Sequence, residues 1–420
     1  MPIRRDVAGS VYRSSLHTPP HPEHGGVVPP ESGKLALVLA GGGARAAYQV
    51  GFLRQMSRHF PELNFPVLTG VSAGAINVAH LANTADPFPE AMTKLVALWE
   101  GLTIDQVFRT DLPALASIMS KWALRLVSGG MYLSPPARGM VDNTPLRRFL
   151  EKALGSRDGH LPGVEENIRT GRLSAIGLTT TNYTNGESNT WIQGANLSDW
   201  ERPGRRSIQD RITIDHIMAS SALPLFFPAG QIGNDWHGDG GVRLTSPLSP
   251  AMHLGANRMI AISTQYSGIH HPTSLSQSPH EYPSPATLIG LMLDSIFLDM
   301  LDYDALNTRR VNSLLEAHTH PQDTGLHPVQ LLLIRPSIDL SLLANEYESR
   351  LPTTFRFATR GLGTREARRS DMLATLLFEH GYIRRMIAIG ENDCSNRLEE
   401  IAAFLALTPA AGRLQTASQH

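Results

Sequence analysis

Leu35-Ala36-Leu37-Val38-Leu39-Ala40-Gly41-Gly42-Gly43-Ala44-Arg45-Ala46 is a short apolar run that breaks into glycines and then leads a helical stretch, 44–59. An apolar run of that length bounded by glycine reads as a buried strand, and the glycines as the turn into a helix. The first amides of a helix have no partner within it, so this loop offers N–H groups to an anion. Further on, Pro66-Val67-Leu68-Thr69 leads into Gly70-Val71-Ser72-Ala73-Gly74, a second strand-to-helix turn of the form G-x-S-x-G. Its glycines permit a strained turn that pushes a serine outward. A nucleophile and an anion-stabilising loop lie close together, which points to acyl transfer.

Outward from these turns the chain alternates. Strands are expected at 35–40, 66–69, 173–180, 258–263 and 329–334. Helices are expected at 44–59, 73–81, 87–100, 145–154, 214–221 and 247–254. The alternation predicts an α/β fold, a mainly parallel sheet sandwiched by helices on both faces. Ser72 then stands at the carboxyl end of a strand, where such sheets bind ligands. Asp142-Asn143-Thr144 before Pro145 reads as a helix start with Asn143 or Thr144 as cap.

A third motif follows Ala219-Ser220-Ser221-Ala222-Leu223-Pro224: His237-Gly238-Asp239-Gly240-Gly241. With the two glycine turns, in this order and spacing, it resembles the patatin-like phospholipase family, over roughly residues 34–264 and more weakly to 337. The resemblance implies a three-layer patatin-like fold with Ser72 as nucleophile and Asp239 as general base, a dyad without histidine. It also implies an oxyanion hole at Gly41, Gly42, Gly43, Ala44 and Arg45, with Gly70, Gly74, Gly240 and Gly241 as motif glycines. Two positions depart from the family pattern: Ala46 stands where glycine is usual, and Ser246 precedes Pro247 where asparagine often stands. The substrate it implies is a phospholipid or lysophospholipid, cleaved at a carboxyl ester without a cofactor.

The chemistry is consistent with those residue types. A serine hydroxyl is a poor nucleophile until a base takes its proton, and the tetrahedral oxyanion needs donors already in place. An aspartate of ordinary pKa, near ~4, is a weak base and must be desolvated or held against the serine. Arg45 reads as a solvated helix residue beside a hole built from backbone, and His237 as a structural or rim residue. No acid and histidine spacing of the H-E-x-x-H kind suggests a metal.

Two readings compete. Gly41-x-Gly43-x-x-Ala46 also fits a dinucleotide fingerprint, with Glu62 downstream, and would make the chain an oxidoreductase or sensor. Glu62 follows Pro61 and precedes the second strand instead of closing it, which counts against that reading. A catalytically silent lipid-binding protein of the same fold is disfavoured because both dyad residues are present.

Composition bounds the rest. The chain has 420 residues, 41% of them hydrophobic, and a formal charge of −1, which excludes an electrostatic footprint for nucleic acid. Cys394 is the single cysteine, so a cytoplasmic, reducing setting is expected and an internal disulfide is impossible. Met1-Pro2-Ile3-Arg4-Arg5 has no apolar stretch behind it, so no secretory signal is expected. The domain expectation is a disordered leader at 1–33, a catalytic domain at 34–337, a helical extension at 338–407 and a flexible tail at 408–420. Segment 112–133 places Trp122 and Tyr132 beside Lys121 and Arg125, which fits core packing or, alternatively, a lid or transient membrane contact. The apolar but acidic segment 286–306 reads as structural. Oligomeric state leaves no trace in the sequence.

Overall fold

The computed structural model describes residues 34–109, 120, 124, 127–128, 139–266, 284–297, 299–317, 326–361 and 371–406. The leader, the tail and most of segment 112–133, including Trp122 and Tyr132, lie outside the described residues.

The first apolar run forms β1 (Lys34–Leu39), and the serine turn follows β2 (Val67–Val71). Five parallel strands make the heart of the sheet, in the order β10 (Gln330–Ile334), β9 (Ala256–Ile262), β1, β2 and β3 (Ala175–Asn182). β1 shows why these strands are apolar throughout. Leu37 and Leu39 pack into the core on one face, whereas Ala36 and Val38 pack into the core on the other. Helices α1 (Ala47–His59), α2 (Ala73–Asn83) and α3 (Phe88–Gly101) supply the first face. The helices Ser249–His253 and Asp299–Ala317 contribute to the second through Ala251, Leu301 and Ala305. The expected α/β sandwich is therefore present.

Beyond β3 the sheet turns antiparallel, a feature the apolar pattern does not predict. β4 (Ser188–Gly194) pairs antiparallel with β3, β6 (Arg205–Gln209) pairs parallel with β4, and the short β5 (Glu201–Arg202) lies antiparallel on its edge. The ribbon of β7 (Gly230–Ile232) and β8 (Asp235–Asp239) folds back through Gly233-Asn234, with Gly233 at φ 60°. β8 then pairs antiparallel with the far end of β3, Asp239 opposite Thr180.

This pairing builds the site. β3 offers two edges, and β4 occupies one as far as Thr181. On the other, β2 runs up to Val71 opposite Thr179, and β8 arrives from the opposite direction to place Asp239 opposite Thr180, the next residue. The two strands meet end to end, so Ser72 and Asp239 become neighbours.

Three expectations gain detail from the structure. The helix Thr144–Ala153 takes Asn143 as its first cap position without a side-chain bond; the oxygen comes from Asp142, whose Oδ1 accepts the Thr144 N–H at 2.9 Å. Segment 286–306 contributes to the helices Pro285–Phe297 and Asp299–Ala317. Its acids are used internally: Asp302 pairs with Arg335 at 2.8 Å and Asp304 accepts the Leu248 N–H at 2.8 Å. Glu62 is exposed in the turn before β2, at the opposite end of the parallel strands from the glycine loop, so the dinucleotide reading has no ribose ligand there. Among the described residues, no helix is long and apolar enough to cross a membrane.

Candidate active site

Ser72 occupies the N-cap of α2 with φ 56° and ψ −130°, a conformation that L residues rarely adopt. Strain of this kind persists only where the surroundings over-determine it, and they do so here. The Ser72 N–H donates to Ser220 Oγ at 3.0 Å, and Ser220 Oγ donates in turn to the Thr179 carbonyl at 2.7 Å. The Ser72 carbonyl accepts from Ser221 Oγ at 3.1 Å and from the Ala75 N–H at 2.9 Å. Gly74 lets α2 approach β1, since a Cβ there would lie 2.4 Å from the Leu39 carbonyl oxygen. The side chain of Ser72 thus stands at the positive end of α2, which favours a developing alkoxide.

Asp239 ends β8 and is wholly buried. Its N–H donates to the Ala222 carbonyl at 2.9 Å, its carbonyl accepts from Thr181 Oγ1 at 2.8 Å, and its Oδ1 accepts the Gly241 N–H at 2.9 Å. Oδ2 closes no aligned hydrogen bond. The Ser72 hydroxyl is nonetheless near enough to favour the ionised carboxylate. Desolvation outweighs it and the Gly241 bond, and pushes the Asp239 pKa up from 3.8 to about 7. A carboxylate so placed is a competent base near neutrality.

The glycine loop lies on the other side of Ser72. A Cβ on Gly41 would stand 3.0 Å from the Ser72 Cβ, so loop and nucleophile are in contact. Gly42 has φ 146°, where a side chain would be strained and would also strike Thr264 Oγ1 at 2.3 Å. Thr264, just past β9, donates to the Gly41 carbonyl at 2.7 Å and so fixes the loop. Gly43, Ala44, Arg45 and Ala46 form a single 3₁₀ turn leading into α1. β1 is the strand at which the sheet order reverses, with β9 on one side and β2 on the other, so the loop occupies the crevice where open α/β sheets take ligands.

One side chain differs from expectation and a second takes one of two expected places. Arg45 is buried, not solvated: its Nε reaches the Gly42 carbonyl at 3.5 Å, Nη1 reaches Ser341 Oγ at 3.1 Å and Asp371 Oδ1 at 3.5 Å, and Nη2 reaches Thr375 Oγ1 at 3.3 Å. It braces the loop from behind. His237, expected to be structural or at a rim, is buried, and its Nδ1 is 3.1 Å from Thr180 Oγ1. Trp191 Nε1 already donates to that hydroxyl at 2.8 Å, which leaves the Thr180 proton for a neutral imidazole. Burial lowers the His237 pKa in keeping with this. Gly70 ends within β2, and Gly240 and Gly241 open the short turn Gly240–Val242 after the aspartate.

Ser220, Ser221 and Thr264 carry no motif of their own. The small-residue run 219–222 is the only visible signal for the two serines, and Thr264 has none. Asp371 and Thr375 lie so far along the chain that only folding relates them to Arg45. Beside Ser72 opens a cleft lined by Ile76, Trp99, Leu102 and Phe227 among others, with no charged residue among the described residues that line it.

A family model described as patatin-like phospholipase matches residues 37–252, just over half of the chain. No curated protein matches it in sequence. Among solved structures, VipD from Legionella pneumophila is 14% identical, with 87% of this chain and 67% of that one covered and a TM-score of 0.34. Human GIVD cytosolic phospholipase A2 in complex with methyl gamma-linolenyl fluorophosphonate is 13% identical, with 89% of this chain covered and a TM-score of 0.42. The match spans 59% of that human chain, less than two thirds of it. ExoU of Pseudomonas aeruginosa, solved with SpcU, is 17% identical, with 57% of this chain and 45% of that one covered and a TM-score of 0.27.

Proposed function

The chain belongs to the patatin-like phospholipase family, and we propose that it is a serine acyl hydrolase in which Ser72 and Asp239 act as a dyad on the carboxyl ester of a phospholipid or lysophospholipid. The observation that carries this reading is the end-to-end meeting of β2 and β8 on one edge of β3, which pairs a strained serine with a buried carboxylate.

In the reaction, Ser72 Oγ attacks the acyl carbonyl while its proton passes to Asp239 Oδ2. The oxyanion is held by main-chain N–H groups of the Gly41–Ala44 loop. Collapse of the tetrahedral intermediate expels the glycerol oxygen, which takes the proton from Asp239, and leaves an acyl-serine. Water, deprotonated by the same carboxylate, then releases the fatty acid and restores the hydroxyl. Donors that are already in place for the oxyanion contribute the most, since loss of one costs about 3–4 kcal/mol of barrier in comparable sites.

A fluorophosphonate probe followed by peptide mass spectrometry tests the assignment. Ser72 should carry the label, Ser220 and Ser221 should not, and Ser72→Ala should abolish release of fatty acid from vesicles. Label on another serine, with hydrolysis surviving in Ser72→Ala, would overturn the dyad.

A further inference from the structure

The family match ends at residue 252, yet the cleft beside Ser72 is closed by residues far beyond it. Thr375, Leu376 and Phe378, at and just after the helix Asp371–Leu376, line it together with Ser72, Ile76 and Trp99. We propose that this late segment is the wall that determines acyl-chain length, with Leu376 and Phe378 as specificity-determining residues. The inference rests on the acyl-hydrolase reading.

The wall is fixed at both ends, as a selective surface must be. At one end it is bonded to the catalytic loop: Thr375 Oγ1 receives Arg45 Nη2 at 3.3 Å, and the Thr375 carbonyl oxygen fills the space of a Gly43 Cβ, 2.1 Å from where that atom would stand. At the other end the Phe378 ring stacks on Trp99, with centroids 6.5 Å apart and planes inclined by 21°. Trp99 cannot swing away, because its Nε1 donates to Asn77 Oδ1 at 2.7 Å. Just past the wall, His380 Nδ1 bonds the Glu100 carbonyl at 3.0 Å and holds the segment to the end of α3.

The chemistry of the cleft selects its occupant. Leu376 and Phe378 are buried, and the described lining residues contribute apolar groups and hydroxyls without a formal charge. A phosphate or ammonium headgroup would lose its hydration there without a counter-charge, whereas a methylene chain would gain by burial. The chain attached to the reacting carbonyl would therefore run from Ser72 toward Trp99 and end at Leu376 and Phe378.

A series of p-nitrophenyl esters from two to sixteen carbons reads this directly, as kcat/KM for each length within one preparation of the full chain. Phe378→Leu should lengthen the preferred chain and Leu376→Phe should shorten it. Each methylene gained or lost changes the relative kcat/KM by about fourfold, so a two-carbon shift of optimum gives roughly fifteenfold in the long-to-short ratio. A partly unfolded preparation lowers every length alike and leaves the ratio unmoved, so opposite shifts in the two variants support the wall. An unchanged profile in both, with hydrolysis still lost in Ser72→Ala, overturns the wall and leaves the hydrolase reading intact. Ester hydrolysis that survives Ser72→Ala overturns the hydrolase reading itself.

Discussion

The main-chain N–H of Ser72 is held by the hydroxyl of Ser220 at 3.0 Å, and the two residues lie on different strand-to-helix and helix-to-loop junctions. Two residues along, the Ala222 carbonyl takes the N–H of Asp239 at 2.9 Å. One short run therefore sets the backbone of both proposed dyad members. Ser220→Ala leaves a buried N–H unpaired, which should cost about 1–3 kcal/mol of stability. Looser placement of Ser72 should also lower kcat by roughly tenfold, about 1.4 kcal/mol of barrier, with KM for a short ester little changed. Ser221→Ala should do less, because the Ser72 carbonyl keeps the Ala75 N–H. Urea denaturation with steady-state kinetics checks both; equal effects from the two serines would contradict the assignment.

Burial raises the Asp239 pKa from 3.8 to about 7, and this has two readable consequences of opposite kind. Catalysis needs the ionised carboxylate, so kcat/KM should fall as the pH drops through about 7. Between 3.8 and about 7 the folded protein keeps a proton that the unfolded chain has lost, so folding stability should decline as pH rises across that window. Asp239→Asn abolishes this titration. It should remove nearly all turnover while being more stable than the parent protein at pH 8, on the order of a few kcal/mol. A rate profile with its acid limb near ~4 would show that burial does not raise the pKa of the base.

His237 neighbours Asp239 in the motif but bonds Thr180, on β3. His237→Ala should lower turnover by less than roughly tenfold, against the ~10²–10⁴-fold expected for loss of a general base. The pH–rate limb near 7 should survive this substitution unshifted. Its disappearance would require a histidine-based mechanism.

The Arg45–Asp371 pair, 3.5 Å apart and buried, should behave as a unit. Arg45→Met or Asp371→Leu alone breaks a buried ion pair and should cost about 3–5 kcal/mol. The double variant should be less destabilised than the sum of the two, as calorimetric melting of the four proteins would show. Simple additivity would mean that the pair contributes no coupling.

Much of this architecture was legible because buried parallel strands must be apolar on both faces. Leu35 to Ala40 cannot be mistaken for a surface ribbon, and the glycines that close it mark where the chain turns. The antiparallel half was hidden because β4 and β8 include Ser188, Asn189, Asp235 and His237, polar residues that signal no core. Gly233-Asn234 did carry a hairpin signal, but without apolar runs on both sides it stays ambiguous. Ser72 and Asp239 were legible through their glycines. Arg45 was not, since helix position predicts solvent while the partners that bury it, Ser341, Asp371 and Thr375, are distant in sequence.

Because β2 and β8 meet head to head, the order in which the chain is made separates the parts of the site in time. The ribosome releases the serine elbow early, the carboxylate only after the antiparallel ribbon, and the wall at Leu376 and Phe378 later still. A chain that ends before Asp239 thus carries the serine turn without the carboxylate opposite it and without the wall of its cleft. On the proposed reading, hydrolysis requires both to be in place.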